Sequence, residues 1–381
     1  MKIKVINIHH LRIPLRLRFE QSNSSAAYSD SAIVKLRTGS DRVGYGESCP
    51  RPYVTGEDFA SVSSDVQTAT AWLKQARFDG IDDIRQCVAH VLPRQMGPAA
   101  VCAFELALLD AWCKENNMTT AAALGITLPE RVQYSGVVPL RSPEGTAQLM
   151  TLMRRFAFQE LKLKVDNDLA ANLARIDAIR AAFPEPVPLR VDVNCGWSWD
   201  DALLQIPALL KRGAQVFEQP FHPGQDEAAA RLQAHFGDDI CLMADESVTT
   251  LAAAEHLIRL RACRRFNLKI SKNGGLFNTL AIYRLALENG IGCQLGAHYG
   301  ETGILTAAGI LFGALAGPLT AIEGGLGTHL LEYDPRVPAL QIDAGAAITQ
   351  PAARLNAPGW GNIEMAKPKP EADDLTRLSP E

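Results

Sequence analysis

Charged residues recur at a nearly constant interval through the second half of this chain, each at the end of a short apolar run. The positions are Lys164, Asp192, Glu218, Asp245 and Lys269, so the successive intervals are 28, 26, 27 and 24 residues. Between these runs, apolar residues are spaced three and four apart, which is typical of amphipathic helices. One strand and one helix per interval is the pattern of βα units, whose crossovers produce a parallel sheet. The period therefore predicts an α/β fold.

The same pattern extends in both directions, with strand-like segments at 132–137, 292–297 and 319–323. These bring the predicted number of parallel strands to eight, which is the number that closes into a TIM-like barrel. In such barrels the chemistry lies at the C-terminal ends of the strands. We therefore expect one pocket to collect the polar residues at the strand ends, which are Lys162, Lys164, Asp192, Asn194, Glu218, Asp245, Glu246 and Lys269.

The first part of the chain has a different rhythm. Residues 1–125 read as an α+β domain, residues 126–345 as the barrel, and residues 346–381 as a C-terminal segment that packs back on the first domain and ends in a loosely ordered tail. A chain of 381 residues exceeds the size at which one core usually stops growing. In the first domain we expect strands at 5–15, 30–38 and 43–47, and helices at 59–73, 84–92 and 99–114.

Composition excludes several classes of function. The net charge is −4 with both signs spread along the chain, so no basic stripe suits nucleic acid. No run approaches eighteen apolar residues and the chain opens directly into a strand, so we expect no membrane partner and a cytoplasmic location. The eight cysteines have no Cys-x-x-Cys spacing, which favours reduced structural thiols over zinc sites or disulfides.

Three acids come from three successive predicted strands. Asp192, Glu218 and Asp245 would stand side by side at the barrel mouth, where ionised carboxylates repel each other unless a cation neutralises them. One carboxylate per strand and oxygen-only ligation suit Mg²⁺. Any one of these acids alone is better explained as a helix cap or a salt bridge. Three in register favour a metal site.

Lysines flank the acids on both sides. Lys162 and Lys164 are two residues apart and so share one face of their strand; alone, such a pair is typical of a solvent-facing edge strand. Strands two and six of an eight-stranded barrel are opposed, so Lys164 and Lys269 would face a substrate from its two sides. A neighbouring ammonium and a nearby cation both favour the neutral amine. The sequence thus predicts a two-base site that acts on the proton next to a carboxylate.

These residues resemble the muconate-lactonizing (muconate cycloisomerase-like) subgroup of the enolase superfamily, within the mandelate racemase/muconate lactonizing enzyme family. The motifs are Lys162-x-Lys164, Asp192-x-Asn194, Glu218-Gln219-Pro220, Asp245-Glu246 and the segment from Asn267 to Gly275. The resemblance implies a capping domain on a modified (β/α)₇β barrel, and Mg²⁺, with Mn²⁺ as an alternative, on Asp192, Glu218 and Asp245. It also implies that Lys164 and Lys269 are the acid/base pair, that Lys162 tunes Lys164 and contacts the substrate carboxylate, and that the enzyme is a homo-oligomer.

Specificity residues follow from the same resemblance. Capping-domain loops at 19–30 and 50–57 would cover the barrel mouth, with Tyr28, Arg51 and Tyr53 as substrate contacts. Further residues expected near the substrate or behind the metal ligands are Asn194, Glu246, Lys272, His298, Glu301 and Glu323. Dipeptide epimerases of the subgroup carry Asp-x-Asp at the eighth strand, whereas this chain has Glu323-Gly324-Gly325. A dipeptide substrate is therefore in doubt, although Glu323 alone could hold an amine.

The predicted function is a Mg²⁺-dependent isomerase that abstracts the proton α to a carboxylate through an enediolate. Its substrate is a small carboxylate or amino-acid derivative, and the reaction is cycloisomerisation or racemisation/epimerisation. A syn-dehydratase of a hydroxy acid would use the same intermediate and is the alternative. A non-enzymatic scaffold on the same fold is disfavoured, because it has no need to keep three carboxylates and opposed lysines.

Overall fold

An antiparallel three-stranded sheet begins the chain. The computed structural model describes residues 1–21, 24–183 and 187–365, and the side chains of residues 19–25 lie outside this description. The sheet has the order β1-β2-β3. In β1, Leu11, Ile13 and Leu15 are buried whereas Arg12 and Arg16 are exposed, as the two-residue period of a strand requires. The strands are β1 (Ile3–Gln21), β2 (Ser24–Thr38) and β3 (Val43–Ser48).

Helices cover one face of this sheet. They are α1 (Pro52–Thr55), α2 (Phe59–Leu73), α3 (Ile81–Gln86), α4 (Pro98–Glu115) and α5 (Thr120–Ala123), with a π turn at Cys87–Val91 and a 3₁₀ turn at Leu92–Arg94. Helix α4 is buried almost all round, which is typical of a central core helix. It lies so close to β3 that a Cβ added at Gly46 would stand 2.0 Å from the carbonyl oxygen of Ala103. Glycine is therefore required at that contact.

The second part of the chain forms a parallel barrel. A short strand, β4 (Arg131–Gln133), precedes the barrel. The barrel strands are β5 (Gly136–Val138), β6 (Leu161–Lys164), β7 (Leu189–Asp192), β8 (Ala214–Glu218), β9 (Cys241–Ala244), β10 (Arg265–Leu268) and β11 (Gly292–Leu295). Its helices are α6 (Pro143–Met153), α7 (Leu169–Ala182), α8 (Trp199–Leu210), α9 (Asp226–Phe236), α10 (Leu251–Leu260), α11 (Leu276–Glu288) and α12 (Gly303–Ala316). Strands β5 to β11 lie in sequence order in one parallel sheet. The predicted fold class is confirmed.

The barrel closes through a short segment rather than a full eighth strand. Ile322 forms a single parallel bridge with Leu295 of β11, and its carbonyl accepts the backbone N–H of Ser135 at 2.8 Å. The predicted first strand at 132–137 is divided, because β4 pairs antiparallel with β13 (Ala347–Thr349) and only β5 joins the barrel. Where eight equal strands were expected, the structure has seven strands and a bridge.

The C-terminal segment returns to the N-terminal helices. It contains β12 (Arg336–Val337), β13, α13 (Pro351–Arg354) and β14 (Asn362–Ile363), after a 3₁₀ turn at Gly327–His329. The indole of Trp360 is buried and donates to the carbonyl of Leu106 in α4 at 3.0 Å. The tail at 366–381, for which we predicted loose order, lies outside the described residues, and the two boundaries between the three domains stay predictions. No described helix combines the length and apolar character needed to span a bilayer.

The predicted loop at 19–30 is mostly strand. Strand β1 extends to Gln21 and β2 begins at Ser24, so the hairpin is longer than the expected strands at 5–15 and 30–38. Residues 22 and 23 lie outside the described chain. The helices predicted at 59–73 and 99–114 agree closely with α2 and α4, whereas the helix predicted at 84–92 starts at Ile81 and ends in the π turn. Where a strand has polar residues on both faces, its sequence shows no alternation of polar and apolar residues, so the strand cannot be recognised from the sequence.

Buried acids join the two parts of the molecule. Glu47 of β3 accepts hydrogen bonds from the backbone N–H groups of Thr302 and Leu305 at the start of α12, at 3.0 and 3.2 Å. Glu105 of α4 accepts from the N–H of Phe277 at the start of α11, at 3.1 Å. Carboxylates are favourable at helix N-termini. The N-terminal unit thereby fixes the two loops that precede α11 and α12.

The buried carboxyl of Glu105 predicts a pH-dependent stability. Burial raises its pKa to about 8, despite hydrogen bonds from the backbone of Phe277 and Leu276. The folded chain then holds a proton that the unfolded chain releases near pH 4.3, so stability should fall as the pH rises from 5 to 8, by up to about 1.4 kcal/mol per pH unit for one such group. In Glu105→Gln the amide cannot ionise, so thermal unfolding should show a flatter decline of Tm across this window. Exposed Glu255→Gln is the control; parallel Tm curves for wild type and Glu105→Gln would contradict the assignment.

Candidate active site

One cavity of about 570 Å³ opens at the C-terminal ends of the barrel strands. Its lining includes these residues predicted from the sequence: Lys162, Lys164, Asp192, Asn194, Glu246, Lys269, His298, Glu301, Glu323 and Tyr53. Glu218 and Asp245 lie behind the lining and contact Lys162 and Lys269, and Lys272 contacts Asp245. The convergence expected from the strand period is therefore present in the structure.

Lys162 and Lys164 both point into the barrel from β6. They are 3% and 4% exposed, which rules out the solvent-facing edge strand that a Lys-x-Lys pair alone indicates. The ammonium of Lys164 contacts Asp192 Oδ2 at 3.0 Å and Asn194 Oδ1 at 2.5 Å. That of Lys162 contacts Glu323 at 3.0 Å and Glu218 at 3.3 Å. Both amines are held by carboxylates.

Asp192, Glu218 and Asp245 lie at or just after the ends of the adjacent strands β7, β8 and β9, and all three are fully buried. Asp192 stands directly opposite Glu218 in the sheet register. Burial and the neighbouring Asp192 raise the pKa of Glu218 to about 8. Burial also opposes ionisation of Asp245, but Lys269 and Lys272 hold its pKa well below its ordinary value. The three carboxylates thus share a dry environment where they repel one another.

This donor set suits a hard divalent cation by its chemistry, because three buried carboxylates offer only oxygen ligands and an excess of negative charge. In the described chain, no three acidic, histidine or cysteine side chains are already gathered as metal ligands. Lysine ammonium groups lie between the acids instead, with Lys164 on Asp192 at 3.0 Å and Lys269 on Asp245 at 2.5 Å. A cation here would exchange these ion pairs for its own bonds to the same oxygens.

Lys269 enters the site from the opposite wall, just after β10. Its backbone N–H donates to Asn273 Oδ1 at 2.9 Å, which fixes the turn that carries it. Burial disfavours its charge, yet Asp245 raises its pKa well above the ordinary value. Lys272 lies behind it and donates to Asp245 Oδ1 at 2.8 Å and to the carbonyl of Asn267 at 2.8 Å. Lys272 therefore holds Asp245 in position from behind and is not one of the described residues that line the cavity.

Sequence reasoning missed several residues of this network. Arg190 of β7 is buried and contacts Glu160 at 2.9 Å and Glu323 at 3.2 Å. Asn267 of β10 donates to Glu218 at 2.6 Å, and its Oδ1 has no partner among the described residues. Each lies two residues before a predicted site residue, Asp192 or Lys269. That spacing places Arg190 and Asn267 on the same inward face as the predicted residues, and it is the sequence signal that could have identified them.

Strained backbone accompanies two of the buried acids. Asn194 and Gln219 follow Asp192 and Glu218 and have φ angles of 47° and 40°, a region that few non-glycine residues adopt. The side-chain oxygen of Gln219 accepts the backbone N–H of Asp245 at 2.8 Å, and the amide of Asn194 donates to Glu246 at 3.2 Å. Such strain persists only where the surroundings enforce it, which is common at functional sites.

The predicted specificity residues are placed differently from one another. Tyr53 lines the cavity. Arg51 is buried but donates to the backbone carbonyls of Asp30 and Tyr299, both at 2.9 Å, so its guanidinium serves the packing of the loop. Tyr28 is 46% exposed, beside Arg12, and is absent from the described lining of the cavity. Neither Tyr28 nor Arg51 therefore stands at the expected contact.

Two further predicted residues occupy the turn before α12. Glu301 accepts the backbone N–H of His298 at 2.7 Å and does not cap the helix, because Thr302 and Glu47 do so. Burial raises the pKa of Glu301 to about 8. The His298 ring is buried in the cavity wall, and neither of its nitrogens has a hydrogen-bond partner among the described residues. Burial, Lys269 and Arg51 hold its pKa well below the ordinary value, so the imidazole is neutral.

Comparison with known proteins places this geometry in context. The family model described as Enolase C-terminal domain-like matches residues 146–366. The N-succinyl-L-Arg/Lys racemase of Bacillus cereus is 28% identical over 95% of both chains. The L-Ala-D/L-Glu epimerase of Bacillus subtilis is 30% identical over 78% of this chain and 81% of that protein. The structure of a dipeptide epimerase from Enterococcus faecalis, complexed with Mg and the dipeptide L-Leu-L-Tyr, has a TM-score of 0.83 at 26% identity and covers 96% of this chain and 100% of its own.

The unpartnered imidazole of His298 yields a stability prediction. A buried polar atom without a hydrogen bond costs about 1–3 kcal/mol, so His298→Leu should raise the free energy of unfolding by about 1 kcal/mol. His329 is the matched control, since its ring bonds to the carbonyl of Ile342 at 2.9 Å and His329→Leu should lower that free energy by a similar amount. Urea unfolding measures both. A clear loss of stability in His298→Leu would show that the ring has a structural role.

Proposed function

The chain belongs to the mandelate racemase/muconate lactonizing enzyme family of the enolase superfamily and is an isomerase, and we propose that it moves the proton α to a carboxylate between the two faces of its substrate. The observation that carries this proposal is the position of Lys164 and Lys269. Both are buried and both line one cavity. Lys164 lies in β6 and Lys269 just after β10, which are the second and sixth strands of the parallel sheet and lie on opposite sides of the barrel.

The chain's own residues divide the work. An α-proton removed by one lysine leaves a planar centre, which the other lysine can protonate from the opposite face. Lys162 stands beside Lys164 on the same face of β6. Its ammonium points to the floor of the cavity, by which we mean the buried charged residues at the strand ends, such as Glu218 and Glu323. There it can hold one oxygen of the substrate carboxylate. Asn194, which contacts Lys164 at 2.5 Å, orients that amine.

We assign Asp192, Glu218 and Asp245 as ligands of Mg²⁺, with Mn²⁺ as an alternative. Their oxygen-only donor set and their mutual repulsion in a buried site support this assignment. When bound, the cation supplies positive charge that makes the α-proton of an adjacent carboxylate more acidic. Asn267 holds Glu218 and Lys272 holds Asp245 through the contacts described above, while Glu246 accepts a hydrogen bond from Asn194.

The short segment that closes the barrel bears on the substrate. Glu323 is fully buried and already contacts two cations, Lys162 at 3.0 Å and Arg190 at 3.2 Å. A substrate ammonium placed there would find this carboxylate neutralised. We therefore propose that the substrate is an amino-acid derivative or another small carboxylate without a charged nitrogen. In this respect it would differ from the dipeptide of the E. faecalis epimerase.

Dehydration, the alternative from the sequence, is not favoured, because the relatives found include a racemase, several epimerases and a chloromuconate cycloisomerase, all of which are isomerases. Cycloisomerisation uses the same proton chemistry and would appear as a new ring product. A homo-oligomeric state and a cytoplasmic location remain predictions from the sequence. Incubation with Mg²⁺ in D₂O, followed by ¹H NMR of N-acylamino acids, dipeptides, proline derivatives and muconates, would separate inversion at the α-carbon from ring formation.

The two lysines should fail in different ways when replaced. Lys164→Ala and Lys269→Ala should each lower isomerisation by about 10²–10⁴-fold, the usual contribution of a positioned acid or base. Each variant should still exchange the α-proton of one enantiomer, the one whose proton faces the remaining lysine, and the two variants should differ in which enantiomer that is. Exposed Lys211→Ala is the control. Full activity in either variant would remove its lysine from the mechanism.

Metal affinity tests the ligand assignment. Asp245→Asn removes one of three charges from the cation site, so titration calorimetry should show Mg²⁺ binding weakened about 100-fold or more, since residues behind a metal ligand already contribute about 10- to 100-fold. Asp177→Asn, at an exposed acid that pairs with Arg212, should leave the Mg²⁺ affinity unchanged. Equal affinities for wild type and Asp245→Asn would refute the assignment.

A further inference from the structure

The cavity extends from the charged floor into a second region that takes no part in the proposed proton transfer. We call it the apolar arm and define it by Leu149, Leu152, Met153, Phe156, Phe158 and Leu330. Five of these come from α6 and the segment after it, and the sixth from the end of the 3₁₀ turn at Gly327–His329. The rings of Phe156 and Phe158 lie 5.6 Å apart. The arm is therefore a preformed apolar wall joined to the reaction floor.

Two leucines of the cavity lining are exposed to solvent, and a bound ligand would cover them. Leu152 and Leu17 both line the cavity and are each 43% exposed, although large apolar side chains are usually buried. Covering them with an apolar group would stabilise the complex by about 25 cal/mol for each Å² removed from water. Exposed leucines at the edge of a cavity that contains the active site indicate an apolar part of the substrate.

The mouth of the arm is cationic. Arg18, Arg141 and Arg155 line it, and no described carboxylate forms an ion pair with any of the three. Arg141 donates to the carbonyl of Arg18 at 3.3 Å, while its buried Nε has no partner among the described residues. The described acids that line the cavity are those at the strand ends, such as Asp192 and Glu323. An anion at the mouth would find guanidinium donors without competition.

We propose that the apolar arm and Arg18, Arg141 and Arg155 form a subsite for a substrate substituent that consists of an apolar chain with an anionic end. The charge at the mouth selects this occupant over a plain apolar chain, and continuity with the floor selects a part of the substrate over a separate ligand. The inference rests on the proposed function, because the other end of the same molecule must present its α-carboxylate to the floor.

Three N-acylamino acids test the subsite by calorimetry with the Mg²⁺-loaded protein at low salt. N-glutaryl-L-alanine and N-pentanoyl-L-alanine differ only in a distal carboxylate or methyl group, and N-acetyl-L-alanine has no chain for the arm. We expect the glutaryl probe to bind about fivefold more tightly than the pentanoyl probe, which is the most that one exposed ion pair usually provides, and the acetyl probe to bind most weakly. Equal affinities for the first two, or no binding advantage over the acetyl probe, would overturn the proposal.

Neighbouring arginines provide the matched variants. Arg155→Gln and Arg141→Gln should reduce the glutaryl preference about fivefold, whereas Arg154→Gln, at an exposed arginine outside the cavity lining, should leave it intact. Arg155 is exposed, so its variant carries the test even where Arg141→Gln fails to fold. A preference that survives both changes refutes the subsite. Preferential binding without α-proton exchange in D₂O would support the subsite while refuting the proposed function.

Discussion

The pairing of buried charges is the constraint on which the centre of this structure depends. Lysine, arginine, aspartate and glutamate side chains are buried together in the barrel floor, away from water. The desolvation free energy of a single unpaired charge in such a place is too large for the fold to tolerate. Each charge is retained because an opposite one lies within about 3 Å, as in Lys164 with Asp192 or Lys269 with Asp245. Removal of one partner leaves an uncompensated charge, at a cost of about 3–5 kcal/mol. The same pairing holds the amines and carboxylates in the geometry that the chemistry needs.

Helix capping across the two parts of the molecule positions the loops around this floor. Glu47 and Glu105 reach from the N-terminal unit to the starts of α12 and α11. The loops just before these helices carry His298 and Glu301 in one case and Lys269 and Lys272 in the other. The N-terminal unit therefore controls the placement of the chemical groups through backbone N–H groups, while few of its own side chains, among them Tyr53, line the cavity.

Under our proposals, the chemistry and the selection of the substrate belong to different elements. The floor is built from strand ends, which vary little in position because the sheet hydrogen bonds fix them. The apolar arm is built from α6, the segment that follows it and the turn near residue 330, which lie outside the barrel strands. Under our proposal, changes in the arm and its arginines would alter which substituent binds without disturbing the lysines or the metal ligands.

The sequence by itself determined the strand–helix period, the parallel barrel and the set of polar residues at the strand ends. Those properties are local, since alternation along a strand decides which face a side chain occupies. Only the tertiary structure decided that Glu323 pairs with Lys162, 161 residues away, that Arg51 binds loop carbonyls, that Tyr28 faces outward and that α6 forms the wall of an arm. Those outcomes depend on which distant surfaces meet, and the strand–helix period does not determine which side chains form these contacts.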